Sequence, residues 1–191
     1  MTLRKHFTAL FAIAALTGAA AAHAAPLKLD GAKSTVTATF KQMNVPVDAR
    51  FGKFTGAIDF DAAKPDTGKA SVEIDIASFD LGSPEYNQEV LKKEWFNAAQ
   101  FPKASFVSTG IKASAGAPAG TRYDVAGKLT IKGKTADVHF PLTVKKDGKA
   151  QTFDGTLPIK RLTYNIGEGE WKDTGMVADE VVIKFHFVTA P

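Results

Sequence analysis

Two histidines, a scatter of carboxylates and several basic residues are the side chains in this sequence that could do chemistry. His139 and His186 are the only histidines outside the N-terminal 24 residues. Each falls between apolar residues that face the other way, so both read as surface residues. The chain contains no cysteine, which excludes disulfides and thiolate metal sites. Two isolated imidazoles alone make a poor metal site, so no metal centre is expected. No Gly-x-Ser-x-Gly turn is present to strain a serine nucleophile, and no glycine-rich phosphate loop opens a helix. Asp59, Asp61, Glu73, Asp75, Asp124 and Asp137 fall on polar strand faces, where solvation is the ordinary fate of a carboxylate. Asp80 differs, because it follows Phe79 just ahead of a helix: it either lines a cavity mouth or simply ends a strand. Residues 167–173 hold three acids, Glu168, Glu170 and Asp173, in a spacing that fits no calcium loop. Trp171 in that loop is placed to plug an interior or to touch a ligand.

No group is therefore set up to react, and the sequence points to binding rather than catalysis, with no cofactor. Arg50, Lys53, Lys92, Lys93, Lys160 and Arg161 lie near strand ends, where they form a solvated rim or meet an anionic head group. Arg50, beside Phe51 and Gly52, is the preferred candidate, since a guanidinium presents a planar fork to phosphate. The larger resource is apolar. The chain carries 14 phenylalanines, of which Phe7 and Phe11 belong to the N-terminal segment. The residues expected to line an interior are Phe40, Phe54, Ile58, Ile74, Leu91, Trp95, Phe106, Leu129, Phe140, Leu157, Phe185 and Phe187. Counting aromatics does not distinguish a packed core from a lined void.

The elements that must position these residues are strands. Apolar and polar residues alternate with a period of two, as in Val36, Ala38, Phe40 against Thr35, Thr37, Thr39, and in Val181, Ile183, Phe185, Phe187 near the C-terminus. The same rule holds through Phe54–Ile58–Phe60, Ala70–Ile76, Tyr123–Ile131, Val138–Val144 and Phe153–Ile159, with a weaker strand over 104–113. That makes about eight strands. Lys132-Gly133-Lys134 and Asp147-Gly148 supply tight turns, which favour antiparallel neighbours. Eight such strands form a sandwich or a closed barrel. Gly56, Gly127 and Gly155 on the apolar face favour the barrel, because they permit bending and leave space. One short helix breaks the pattern between the third and fourth strands. Ser83 caps it and Pro84 occupies its first position. Tyr86, Val90, Leu91 and Trp95 form a stripe, and the helix is expected to end near Asn97.

Residues 1–24 have the layout of a cleaved signal peptide: Arg4 and Lys5, an uncharged apolar run, then Ala22-His23-Ala24. The run is short for a transmembrane anchor. Residues 25–191 then form one domain. Of the 24 Lys and Arg, two leave with the signal, so 22 stand against 20 Asp and Glu. The electrostatic basis for nucleic-acid binding disappears with them. Export without disulfides points to a periplasmic protein with no stable membrane anchor.

The segments Phe96-Asn97-Ala98 and Phe101-Pro102-Lys103-Ala104-Ser105-Phe106 resemble the central signature of YceI-like proteins. The run from Gly127 through Lys132-Gly133-Lys134-Thr135, leading to Val138 and Pro141, resembles their second signature. Residues 44–56, with Phe51-Gly52-Lys53-Phe54, and the closing stretch 177–188 match the family's early and last segments. The resemblance implies an eight-stranded antiparallel lipocalin-like barrel, exported to the periplasm, that binds long-chain apolar ligands: polyisoprenoids, and in some members fatty-acid derivatives. It implies no catalytic residues. Met43 to Val47 departs from the pattern, where a histidine is common, as does loop 167–173.

The expectation is therefore a periplasmic carrier or binding protein for a long-chain apolar lipid, most of all a polyisoprenoid such as an isoprenoid quinone or its precursor. Arg50 and Asp80 would stand toward its head and the apolar set along its tail. The alternatives are an envelope stress or interaction protein with a filled core, and a lipid-modifying enzyme. Pairing into a homodimer is left open.

Overall fold

The structure, a computed structural model, describes residues 26–189 apart from 117, 119 and 149. Residues 1–24, expected from the sequence to be a signal peptide, lie outside the described residues. Eleven strands form one antiparallel sheet: β1 (Leu27–Lys28), β2 (Thr35–Gln42), β3 (Val45–Phe51), β4 (Phe54–Asp59), β5 (Lys69–Asp75), β6 (Phe79–Asp80), β7 (Lys103–Ala113), β8 (Arg122–Ile131), β9 (Lys134–Asp147), β10 (Ala150–Lys160) and β11 (Val177–Val188). A single α-helix, α1 (Pro84–Val90), interrupts them. The alternation seen in the sequence is the cause, since it gives each long strand one face for the interior and one for water.

The sheet order is β1-β4-β5-β7-β8-β9-β10-β11-β2-β3-β6, so the sheet curls back toward its own start. Residues 45–59 make the return. Their first half, β3, pairs with β2, and their second half, β4, pairs with β5. The two flanks of the sheet thus meet at the Gly52-Lys53 corner through the chain itself rather than through a ladder of hydrogen bonds. The sheet is therefore a curled half-barrel rather than the closed barrel expected from the sequence, and two smaller ties cross its seam. The Gly52 amide donates to the Ser78 carbonyl at 3.0 Å, and the Asp30 amide donates to the Val188 carbonyl at 2.7 Å.

The expected count of eight strands is corrected to eleven. Two of the additions, β1 and β6, are two-residue pairings with no period to detect. The third is β3, which Pro46, Asp48 and Arg50 disguise. Those residues face outward, while Val47, Ala49 and Phe51 turn toward the interior. The helix is also shorter than expected. It stops at Val90, and residues 91–100 continue as compact turns, with the Phe96 amide donating to the Val90 carbonyl and Asn97 in the left-handed region. Ser83 precedes the helix, but its side chain makes no capping bond.

The interior glycines do not leave space. A Cβ on Gly155 would run into the ring of Phe185, and one on Gly127 into the ring of Phe106. Each glycine is a seat that lets an aromatic ring lie flat on the neighbouring strand. The rings then follow one another across the interior, tilted, stacked and, for Phe140 and Phe185, edge to face. Phe106, Phe140, Phe185, Phe187 and Phe54 follow one another with centroids 5.5, 5.5, 4.8 and 5.8 Å apart, in the tilted and stacked geometries that aromatic quadrupoles favour.

Candidate functional site

The inward side chains do not fill the space they enclose. Two adjacent chambers remain. The narrow chamber, about 90 Å³, is lined only by apolar residues from β2, β4, β5 and β7 to β11, with one more at Phe60. The wide chamber, about 320 Å³, lies between β2, β3, α1 and the segment 159–181. Ile183 of β11 lines both. The wide chamber reaches solvent where Gln42 and Tyr86, both exposed, stand in its wall. Exposed Met43, Val45 and Met176 lie nearby, the Met43 amide donating to the Met176 carbonyl at 2.9 Å.

Of the fourteen residues singled out from the sequence, Ile58, Ile74, Phe106, Leu129, Phe140, Leu157, Phe185 and Phe187 line the narrow chamber, and Phe40 and Trp95 the wide one. Phe54 and Leu91 pack against the core behind these walls. Arg50 and Asp80 line neither chamber. Arg50 is exposed on the outer face of β3, opposite Asp80 on β6. The Asp80 carboxylate accepts from Asn87 Nδ2 at 2.8 Å and from the Gly82 amide at 2.9 Å. Those bonds hold its pKa below the usual aspartate value. It shapes the turn into α1.

The buried charged group in the wall of the wide chamber is Arg161, only 2 % exposed. Its guanidinium donates five hydrogen bonds, all to backbone carbonyls. Nε meets Ala178, Nη1 meets Ile166 and Gly167, and Nη2 meets Trp171 and Val177, at 2.7 to 3.2 Å. Burial lowers its pKa, and Asp179 opposes that shift. The bonds wrap residues 166–178 around one side chain, and this segment supplies Ile166, Trp171 and Val177 to the chamber wall. A strand-end arginine followed by turns looks like rim in a sequence. Nothing in its neighbours announces that backbone oxygens alone will solvate it.

Lys132 is the second buried cation. It sits at the β8–β9 turn with positive φ, as does Gly133, the pairing a two-residue primed hairpin requires. Its Nζ donates to the Lys93 and Asn165 carbonyls and to Glu168 Oε2, at 2.8, 2.7 and 2.8 Å. The amides of Gly167 and Glu168 donate to the Glu94 carbonyl. Loop 167–173 is thereby stapled to the turns after α1, and Trp171 comes to rest 5.3 Å from Trp95, centroid to centroid. The indole N–H of Trp95 is buried there without a partner.

This staple titrates. The hydrogen bond and the charge of the Lys132 ammonium hold the Glu168 pKa below the usual glutamate value. A depressed carboxylate pKa adds stability above its unfolded value, near 4.5, and that stability is lost as pH falls through the lower folded value. We expect tryptophan emission to shift as pH drops below about 4, the ordinary glutamate range, because both indoles flank the staple. In Glu168→Gln that acid step should be absent; superimposable profiles for variant and parent would exclude the mechanism.

His186 Nδ1 lies 2.6 Å from Asp154 Oδ1 on the outer face of β10 and β11. His139 is exposed. Neither imidazole faces a chamber.

A curled antiparallel sheet with one short helix and an unfilled apolar interior defines a lipocalin-like protein. The comparisons with known proteins narrow this. The model of the YceI-like domain matches residues 27–189, and the chain belongs to that family. It is 31% identical over 182 residues to a UPF0312 protein of Pseudomonas savastanoi pv. phaseolicola, covering 90% of this chain and 93% of that one. A UPF0312 protein of Azotobacter vinelandii is 29% identical over 188 residues, covering 94% of both chains. Among solved structures, Burkholderia cenocepacia BcnA is 54% identical with a TM-score of 0.81, over 85% of this chain and 99% of that one. A polyisoprenoid binding domain from Saccharophagus degradans shares the fold at 18% identity and a TM-score of 0.70, over 88% of this chain and all of that one.

Proposed function

We propose that the chain is an exported, non-catalytic binding or carrier protein for a long-chain apolar lipid, a polyisoprenoid or isoprenoid quinone first among them. The tail lies in the narrow chamber, and the more polar end lies in the wide one. The observation that carries this reading is a pair of adjacent unfilled chambers, the smaller lined by apolar residues alone and sharing Ile183 with a larger one whose wall includes the exposed Tyr86. Each methylene transferred from water contributes about 0.8 kcal/mol before ordering costs, so a long tail needs no special polar contact. A domain of the same fold is described as polyisoprenoid-binding, which favours that ligand class. The layout of residues 1–24 supports export and cleavage, and the envelope is where an unanchored lipid carrier would work. Arg50 and Asp80 have no part in holding the head. The groups nearest it are Gln42, Tyr86, Glu89, Trp95 and Trp171. The 320 Å³ of the wide chamber speaks against a filled core.

Native mass spectrometry of protein purified from an envelope fraction tests this. The expected result is a mass increment that organic solvent removes and an added polyprenol restores. An unliganded mass that no added prenol or quinone changes would overturn it. The same titration has a built-in reporter. Trp95 and Trp171 are the chain's two tryptophans, and both line the wide chamber. Saturating ligand should therefore change the emission of nearly the whole signal. Emission left untouched by a ligand that mass spectrometry shows bound would place the ligand elsewhere.

A further inference from the structure

The two chambers are unequal, and they share one wall residue, Ile183. The narrow chamber holds about 90 Å³ against about 320 Å³ in the wide one, so it is the end that limits how far a chain can enter. The ring that occupies the approach is Phe185. It is the first inward residue on β11 past Ile183 on the narrow side, and it lines that chamber. Its ring lies over Gly155, which faces it directly across the β10–β11 pair. It is packed on both sides, 5.5 Å from Phe140 and 4.8 Å from Phe187.

We propose that Phe185, held down on Gly155 in the narrow chamber, is the residue that sets how long a chain the interior accepts. This role presupposes the lipid-holding interior proposed above. The glycine lets the ring lie back against β10 and keeps the passage as wide as it is. A methyl group at that position would push the ring off its seat into the chamber. Removing the ring would add its volume to the deep end, beyond Ile183. The two substitutions therefore change the chamber in opposite directions. A chain that has room gains roughly fourfold in affinity for each added methylene. A chain that has reached the end of its room gains nothing.

The test is a homologous series of straight-chain fatty acids of 10 to 22 carbons, titrated against the delipidated full-length protein by displacement of a fluorescent fatty-acid probe. For the parent, affinity should climb with length and then level off. In Phe185→Ala the levelling should move to longer chains, so that two carbons beyond the parent's limit again raise affinity about fifteenfold. Phe185→Leu, a milder change that keeps the core apolar, should move it the same way. Gly155→Ala should move it to shorter chains. The same length limit in parent and both Phe185 variants, with binding intact, would overturn the role of Phe185 and leave the lipid-holding interior standing. No uptake of any chain by the parent would instead bring down that interior reading, and this role with it.

Discussion

Replacing Arg161 with methionine should destabilise the fold by about 3–5 kcal/mol, the scale measured when a buried charge network loses a member. The reason is the number of groups orphaned rather than the charge itself. Five carbonyls, of Ala178, Ile166, Gly167, Trp171 and Val177, accept from this one side chain. Each buried acceptor left without a donor costs about 1–3 kcal/mol, and water entering the gap recovers part of that. Arg161→Lys separates donor count from charge. A lysine keeps the charge but carries three donors on a single atom, and it cannot reproduce the planar fork. It should therefore recover only a minor part of the loss. Urea unfolding followed by far-ultraviolet circular dichroism measures both. A methionine variant within 1 kcal/mol of the parent would show that segment 166–178 is held by something else. Because that segment carries Trp171 into the wide chamber, the variant should also alter emission before global unfolding, at lower urea than the loss of sheet signal.

Most of the sheet was legible in the sequence because a half-buried strand has to alternate. β2, β5, β8, β9, β10 and β11 announce themselves through residues such as Val138, Phe140, Leu142 and Val144, each buried, between polar neighbours. β3 hid because Pro46 and two charges occupy its outer face, although proline is tolerated wherever the ladder does not need its amide. The chamber walls were legible for the same reason as the strands: inward positions are inward wherever the sheet leads. What the deep residues enclose was not legible. The inward glycines suggested emptiness, yet at Gly127 and Gly155 a ring from the neighbouring strand has moved into the missing side chain's place. That relation lies across strands, and a single strand's period does not show it. The charged parts of the site were misassigned for a related reason. Arg50 beside a glycine looked like a ligand-facing arginine and lies outside. Arg161 looked like rim and is buried, because its partners are carbonyls from residues 166–178, and a carbonyl leaves no mark on the identity of the residue that carries it.

Filling the wide chamber from Ala38 should separate binding from stability. Ala38 is buried on β2, lines the wide chamber, and sits opposite Ile183 in the β11 register and opposite Ala49 in the β3 register. A phenylalanine there would project into 320 Å³ of unfilled space beside Ile183. It should be accommodated in the empty protein without loss, because aromatic residues suit strands and because burying the ring at a site with room contributes about 1.5–3 kcal/mol rather than overpacking. The same ring would occupy the path from the wide chamber past Ile183. A ligand denied contact for four methylenes loses about 3 kcal/mol, more than a hundredfold in affinity. The expected pair of results is a urea midpoint equal to or above the parent's and a loss of polyprenol uptake by native mass spectrometry. Uptake at parental affinity in a well-folded Ala38→Phe would mean that the tail does not pass between the chambers at Ile183. A binding loss accompanied by an equal loss of stability would mean that the space beside Ala38 is closed to a ring of that size.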